Sequence, residues 1–321
     1  MMRPAAGTSL CSPPLPRHGG RQGLAALVLG LVVGVGLRGD TVFETTSAYH
    51  RIRVVDGAGV RTLLFDRAEE TRMSLANPLE GHFEYIEYFF MPWLWNPELN
   101  RVLMIGLGGG SAQRLYAHYC PGVAVDTVEV DAAVRQVAET YFGYKPGPRQ
   151  RIFIEDGRQF LRRSQDRYGA ILLDAYTQGR YGAAIPHHLV TREFFTLVRD
   201  RLTTNGVVAY NVMGSLTGWR ADIVGAVHRT MQSVFPQVYL FPAGESQNVV
   251  LLGTLVADPP TLPWRSQRGR EVFESGRVKL PTFYRRINAF RAEPPPNASL
   301  CPVLTDDYAP VDGLLSDTWR R

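Results

Sequence analysis

Residues 101–255 alternate short apolar runs with longer amphipathic ones, and that alternation leaves few folds open. Arg101–Ile105 (RVLMI) is a continuous apolar run, the pattern of a strand buried on both faces. A glycine turn, Gly106-Leu107-Gly108-Gly109-Gly110, leads into a helix from Ser111 to Tyr119. The rhythm then repeats. Val123–Val130, Arg151–Ile154, Tyr168–Asp174, Gly206–Val212 and Val249–Leu255 read as strands. Ala132–Tyr141, Arg158–Ser164, Thr191–Leu202 and Trp219–Phe235 read as the helices between them. Strands joined through helices make a parallel sheet with helices on both faces, an α/β fold.

Other segments flank this body. Tyr49–Val55 and Val60–Phe65 are β-rich, and Asp56-Gly57-Ala58-Gly59 between them is hairpin turn chemistry. Glu84–Trp95 is aromatic-rich and reads as helical until Pro92, and Asn96-Pro97 then breaks the chain. The sequence divides into a basic leader at 1–40, a small β-rich domain at 41–97, the α/β domain at 98–257 and a Pro-rich C-terminal extension at 258–321. Pro259, Pro260, Pro263 and Pro294–Pro296 make that extension read as an irregular tail.

The glycine turn lets the backbone bend tightly and lets a ligand come close. Alone it suits NAD, FAD or S-adenosylmethionine. Ser111 stands at the third position of G-x-G-x-x-G, which disfavours a dinucleotide. The acidic residues discriminate further. Glu129 ends the second strand, where a carboxylate accepts from both ribose hydroxyls. Asp156-Gly157 follows the third strand, within reach of an adenine amino group. Asp174 ends the fourth, facing the crevice where open sheets bind ligands. Three carboxylates on one rim suit a cationic sulfonium nucleoside and repel a pyrophosphate. Each has a plainer alternative: Glu129 or Asp131 capping a helix, Asp156 as an N-cap, Asp174 as a solvated strand end.

The net charge of +5 is concentrated in the leader, where Arg3, Arg17, Arg21 and Arg38 precede the first acid, Asp40, and the remainder is near +1. A nearly neutral body gives no electrostatic case for nucleic acid. Residues 24–37 (LAALVLGLVVGVGL) follow Arg17 and Arg21 as an apolar run, so membrane association through a signal-anchor, a cleaved signal or the remnant of a membrane domain is expected. The run is shorter than the roughly 20 residues a bilayer span needs, and a cytoplasmic protein is the alternative. Cys11, Cys120 and Cys301 have no paired short spacing, so neither a metal site nor a disulfide framework is expected.

The combination of Ser47-Ala48-Tyr49-His50-Arg51-Ile52, VLMIGLGGG, VEVD at 128–131, EDGRQFL at 155–161, YGAILLDAY at 168–176, IPHHLVTREFF at 185–195 and LTDDYAPVD at 304–312 resembles the spermidine synthase (polyamine aminopropyltransferase) family, especially its membrane-fused branch. The resemblance implies a Rossmann-like, class I methyltransferase-type sheet capped by the β-rich domain. It implies aminopropyl transfer from decarboxylated S-adenosylmethionine to a small-molecule amine, and a homodimer. Cofactor binding would fall to Gly106, Gly108, Gly110, Glu129, Asp156, Gly157 and His50. Asp174 would be the base, and Tyr85 and Tyr176 would wall the amine pocket.

The sequence departs from that pattern at three places. Ser111 stands where the family carries an acid after the glycines, Thr177 where the second acid of D-x-x-D would be, and His50 where a Gln follows the N-terminal Tyr. The nucleoside side is kept while the diamine side is short of charge. Two other functions stay open: methyl transfer from ordinary S-adenosylmethionine, which Ser111 favours by removing a repelling acid, and non-catalytic nucleoside binding. His187 and His188 read as loop residues, because the sequence supplies neither with a partner for a nucleophilic dyad.

Overall fold

Every interior strand of the central sheet sends alternate side chains to opposite faces, and both faces are covered. In the computed structural model, which describes residues 39–179, 182–218 and 220–315, β5 (Arg101–Ile105) places Leu103 and Ile105 in one apolar cluster and Val102 and Met104 in another. The small sheet comes first in the chain, an antiparallel meander of β1 (Asp40–Thr46), β2 (Arg51–Gly57), β3 (Val60–Phe65) and β4 (Ala68–Ser74). The tight turn between β2 and β3 is the one its Gly-rich sequence predicts. β1 and β4 escape the sequence reading because their runs, DTVFETT and AEETRMS, are polar.

The main body follows as α1 (Ser111–Tyr119), β6 (Ala124–Glu129), α2 (Ala132–Tyr141), β7 (Gln150–Ile154), α3 (Gly157–Arg163) and β8 (Tyr168–Leu173). A small hairpin, β9 (Thr177–Gly179) and β10 (Gly182–Ala184), precedes α4 (Arg192–Asp200), β11 (Leu202–Met213), α5 (Ala221–Gln232), β12 (Gln237–Pro242) and β13 (Asn248–Thr254). The seven-stranded order is β12-β13-β11-β8-β5-β6-β7. From β11 to β7 the strands are parallel. β13 runs antiparallel to β11 and to β12, because residues 243–247 are too short for a crossover and can only make a hairpin. The sequence reading misses β12, whose run ends in Pro242; an outer strand tolerates that proline.

The chain builds outward from β5 to β7 and then returns across it to β8. The switch between β5 and β8 opens a crevice at their carboxyl ends. Register aligns those ends: Ile105 pairs with Val128 on one side and Leu173 on the other.

The C-terminal extension is not an irregular tail. It forms α6 (Leu262–Glu274), α7 (Phe283–Ile287) and α8 (Val311–Leu314). Val272, Val278, Leu280, Phe283 and Phe290 are buried in the cluster that closes the second face of the sheet. They pack with the 3-10 helix Glu84–Leu94, all of whose residues are buried. That helix runs through Pro92, where an α-helix was expected to stop. Burying one such Phe contributes about 2 kcal/mol or more, so the extension is integral to the fold.

The expected membrane association is corrected: among the described residues no helix is long and apolar enough to cross a membrane. The segment 24–37, the arginines of the leader, Cys11 and Trp219 lie outside the described residues.

Candidate active site

Three backbone hydrogen bonds bring the site together. Gly106 N–H donates to Val128 O at 2.9 Å, Asp174 N–H donates to Ile105 O at 2.9 Å, and Glu155 N–H donates to Glu129 O at 3.0 Å. They line up the ends of four adjacent strands, so Gly106, Glu129, Asp156 and Asp174 share one rim. A cavity of about 410 Å³ opens there, within the range of small-molecule sites. Gly106 has φ +105°, and a Cβ on it would meet Asp174 O at 2.1 Å, so no other residue fits the crossing. Gly110, at φ +74°, starts α1 against the Tyr144 ring and lies outside the cavity lining, unlike Gly106 and Gly108.

Glu129 is buried with its carboxylate toward the cavity. Leu107 N–H donates to one oxygen and Asp131 N–H to the other, each at 3.0 Å. A carboxylate has about four acceptor positions, so each oxygen keeps one for a ligand hydroxyl. Burial pushes its pKa up to about 7, against the pull of those two amides. Capping of α2 falls to Asp131, whose side chain accepts from Ala133 N–H at 2.9 Å.

Asp156 combines both of its alternatives. It caps α3 by accepting from Gln159 N–H at 2.9 Å, and it also lines the cavity beside Gly157. Its second oxygen meets His188 Nε2 at 2.8 Å. The His188 hydrogen bond, with the Gln159 amide, holds the carboxyl below its usual range despite partial burial. His188 therefore has a carboxylate partner, which the sequence reading did not find. Arg158 donates to His188 O at 3.1 Å and pairs with Asp306, which also accepts from Thr191 Oγ1 at 2.6 Å. The LTDDYAPVD segment thus ties the extension to the rim.

Asp174 is held from two directions. Asn211 on β11 donates its amide to one oxygen at 2.9 Å, and Tyr85 donates its hydroxyl to the other at 3.2 Å. Asn248 on β13 donates in turn to Asn211 Oδ1 at 3.0 Å. Burial pushes Asp174 up to about 6, against these hydrogen bonds. Tyr176 donates to Asn211 O at 2.8 Å and stands beside Tyr85 in the cavity wall. The motif reading misses Asn211 and Asn248, although an Asn inside the apolar run of β11 is itself a signal, since a buried amide needs partners.

His50 stacks on Phe65 with 4.3 Å between ring centroids. Its Nδ1 is buried without a hydrogen bond, 3.9 Å from Asp66, and burial lowers its pKa despite Asp66 and Asp131. Thr177 lines the cavity as expected of its position, and Ser111 lies at the foot of α1. The sequence reading also misses Glu70, a carboxylate of β4 that lines the same cavity as Asp174, Tyr85 and Tyr176.

Residues 84–243 match the family model described as "Spermine/spermidine synthase domain". A polyamine aminopropyltransferase of Vibrio vulnificus (strain CMCP6) is 32% identical over 246 residues, covering 74% of this chain and 79% of that protein. Among solved structures, a probable spermidine synthase from Corynebacterium glutamicum ATCC 13032 aligns with TM-score 0.59 at 20% identity, covering 71% of this chain and 86% of that one. The spermidine synthase of Thermotoga maritima aligns with TM-score 0.57 at 22% identity, covering 77% and 87%.

Proposed function

The chain belongs to the spermine/spermidine synthase family, and from that premise we propose that it moves an aminopropyl group from decarboxylated S-adenosylmethionine to a diamine or polyamine acceptor. The observation that carries this reading is Asp174, a buried carboxylate fixed by Asn211 and Tyr85 on the rim that Glu129 also lines. Glu129 holds the ribose through its two unfilled acceptor positions, Asp156 and Gly157 border the adenine, and His50 with its unpartnered nitrogen closes the nucleoside side.

The acceptor enters as an ammonium, and an ammonium cannot attack. Asp174 takes one of its protons and leaves a nitrogen lone pair. That pair forms a C–N bond to the methylene beside the sulfonium as the C–S bond breaks. The C–S electron pair returns to sulfur, giving a neutral thioether nucleoside and a lengthened amine. With a pKa of about 6, Asp174 is ionised at neutral pH yet basic enough to accept a proton. Tyr85 holds the carboxylate in place, and the apolar wall of Ile86, Phe89 and Met104 screens the site from water.

Calorimetry with decarboxylated and ordinary S-adenosylmethionine tests the reading, paired with chromatography of a diamine incubated with the enzyme. The expected result is tighter binding of the decarboxylated form and a product longer by one aminopropyl unit. Preference for the ordinary form with no lengthened amine would overturn aminopropyl transfer.

A further inference from the structure

We propose that Glu70 is the anionic contact for a primary ammonium at the reacting end of the cavity, replacing the acids absent at Ser111 and Thr177. The inference rests on the aminopropyl-transfer reading above and deepens it.

The placement of Glu70 is a property of β4. Leu63 of β3 pairs with Thr71 and Leu64 pairs with Glu69, so Glu70 is the extra residue of a β-bulge. A bulge leaves its extra residue out of the ladder and re-aims its side chain, often toward a site. The next residue anchors the strand: Thr71 Oγ1 accepts the Gly109 N–H at 2.8 Å, which docks β4 on the glycine turn. Glu70 immediately precedes the docked Thr71 and lines the same cavity as the glycine turn and Asp174.

The carboxylate lines the cavity without a hydrogen bond or ion pair to any described residue. Arg72, two residues along, lies 4.6 Å over the Phe83 ring and forms no ion pair with it. Burial first, and then the charges of Asp174 and Asp66, push Glu70 up to about 8. Glu70 and Asp174 line the same cavity and each charge raises the cost of ionising the other; a cation bound between them relieves that repulsion. In the empty cavity a proton on Glu70 relieves it; in the complex a substrate ammonium can take over that role, since both substrates carry one. The transferred chain ends in a primary ammonium, and so does the acceptor. Ordinary S-adenosylmethionine adds a carboxylate at that end, which Glu70 repels.

The test uses the full chain with Glu70→Gln, an uncharged isostere, and Glu70→Ala. Methylthioadenosine, which has no charged chain, reports folding and is expected to bind both variants as it binds the wild type. If the ammonium belongs to the transferred chain, decarboxylated S-adenosylmethionine binds the variants about tenfold or more weakly, and its preference over the ordinary form shrinks. If it belongs to the acceptor, that affinity holds and the diamine KM rises about tenfold or more instead. Either result supports the proposal and assigns the ammonium. Both values within twofold of wild type overturn it. Should neither variant fold, the wild type is titrated with 5′-(3-aminopropylthio)adenosine and 5′-propylthioadenosine, and a primary amine is compared with its alcohol isostere as inhibitor; equal affinities within both pairs overturn the proposal and a preference for the amines supports it. Failure of the reaction reading is distinct: it would be a wild type that lengthens no amine, whatever the binding ratios.

Discussion

Asn211 donates its side-chain amide to Asp174 at 2.9 Å, across two neighbouring parallel strands. This bond supports the ionised form of Asp174 in the cavity wall, and the proposed base can be replaced without touching the groups that hold Glu129. Asp174→Asn is expected to lower kcat by roughly 10²- to 10⁴-fold, the usual contribution of a positioned base. Methylthioadenosine affinity is expected to stay within a fewfold. Steady-state kinetics and calorimetry read the two quantities. Turnover within tenfold of wild type would remove Asp174 from the chemistry.

Asn211 is a positioning residue, and its own replacement has a signature that simple loss of packing lacks. In Asn211→Leu, ionised Asp174 loses a donor while its burial remains, so its pKa rises above about 6. The acidic limb of the kcat/KM profile then moves to higher pH. A variant whose profile only drops in height, with the limb unmoved, would assign Asn211 a packing role.

Much of this arrangement is legible in the sequence, and each exception has its own physical cause. β5 and β8 announce themselves because a strand buried on both faces is apolar, and β6 and β7 follow from the strand–helix alternation around them. Glu129, Asp156 and Asp174 follow, since each ends or succeeds such a strand. Glu70 is hidden because its position depends on a register shift between β3 and β4, and register belongs to a pair of strands rather than to either one. The charged pattern of Glu69, Glu70 and Arg72 also masks the alternation that buries Thr71 and Met73. The His188–Asp156 pair joins residues 32 apart through a 3-10 turn, which motif spacing does not reveal. The extension reads as irregular because its prolines dominate, yet Leu280, Phe283 and Ile287 still carry helical spacing.

Glu129→Gln tests the nucleoside side. Both carboxylate oxygens accept a backbone N–H, and an amide NH₂ in place of one oxygen would face a donor with a donor. A hydrogen bond to a charged group is worth about 1.5–3 kcal/mol, so methylthioadenosine affinity is expected to fall about tenfold or more. Unchanged affinity in calorimetry would move the ribose elsewhere in the cavity.

One buried guanidinium ties α7 of the extension to the 3-10 helix. Arg286 bridges Glu84 and Glu87 of the 3-10 helix, and Thr282 donates to Glu87 at 2.7 Å. Burial pushes Glu87 up, but His82, Thr282 and Arg286 together bring it down to about 2. Removing one partner of such a buried pair costs about 3–5 kcal/mol. Arg286→Met is thus expected to lower Tm by roughly 10 °C at pH 7. A carboxyl depressed in the folded state contributes stability above its unfolded pKa and loses it as pH falls toward about 2. The deficit of the variant should shrink between pH 5 and pH 3. A constant deficit would mean that lost packing, not lost charge pairing, is responsible.

The cavity acids act with the opposite sign. Glu70, Glu129 and Asp174 titrate near 8, 7 and 6 in the folded chain, above the usual carboxylate range. Between pH 5 and pH 8 the folded state holds protons that the unfolded chain has released, so stability falls as pH rises through that window. The ligand-free protein should therefore melt at a higher temperature at pH 5 than at pH 8. Glu70→Gln abolishes the largest of these shifts, and should raise Tm at pH 8 by about 2 °C or more while changing it little at pH 5. Decarboxylated S-adenosylmethionine should flatten the wild-type slope, because its positive charge favours the ionised forms. Scanning calorimetry at the two pH values, with and without that ligand, measures all three effects. A Tm for Glu70→Gln that stays below wild type at pH 8 would show that the Glu70 carboxyl stabilises the empty cavity rather than waiting for a cation.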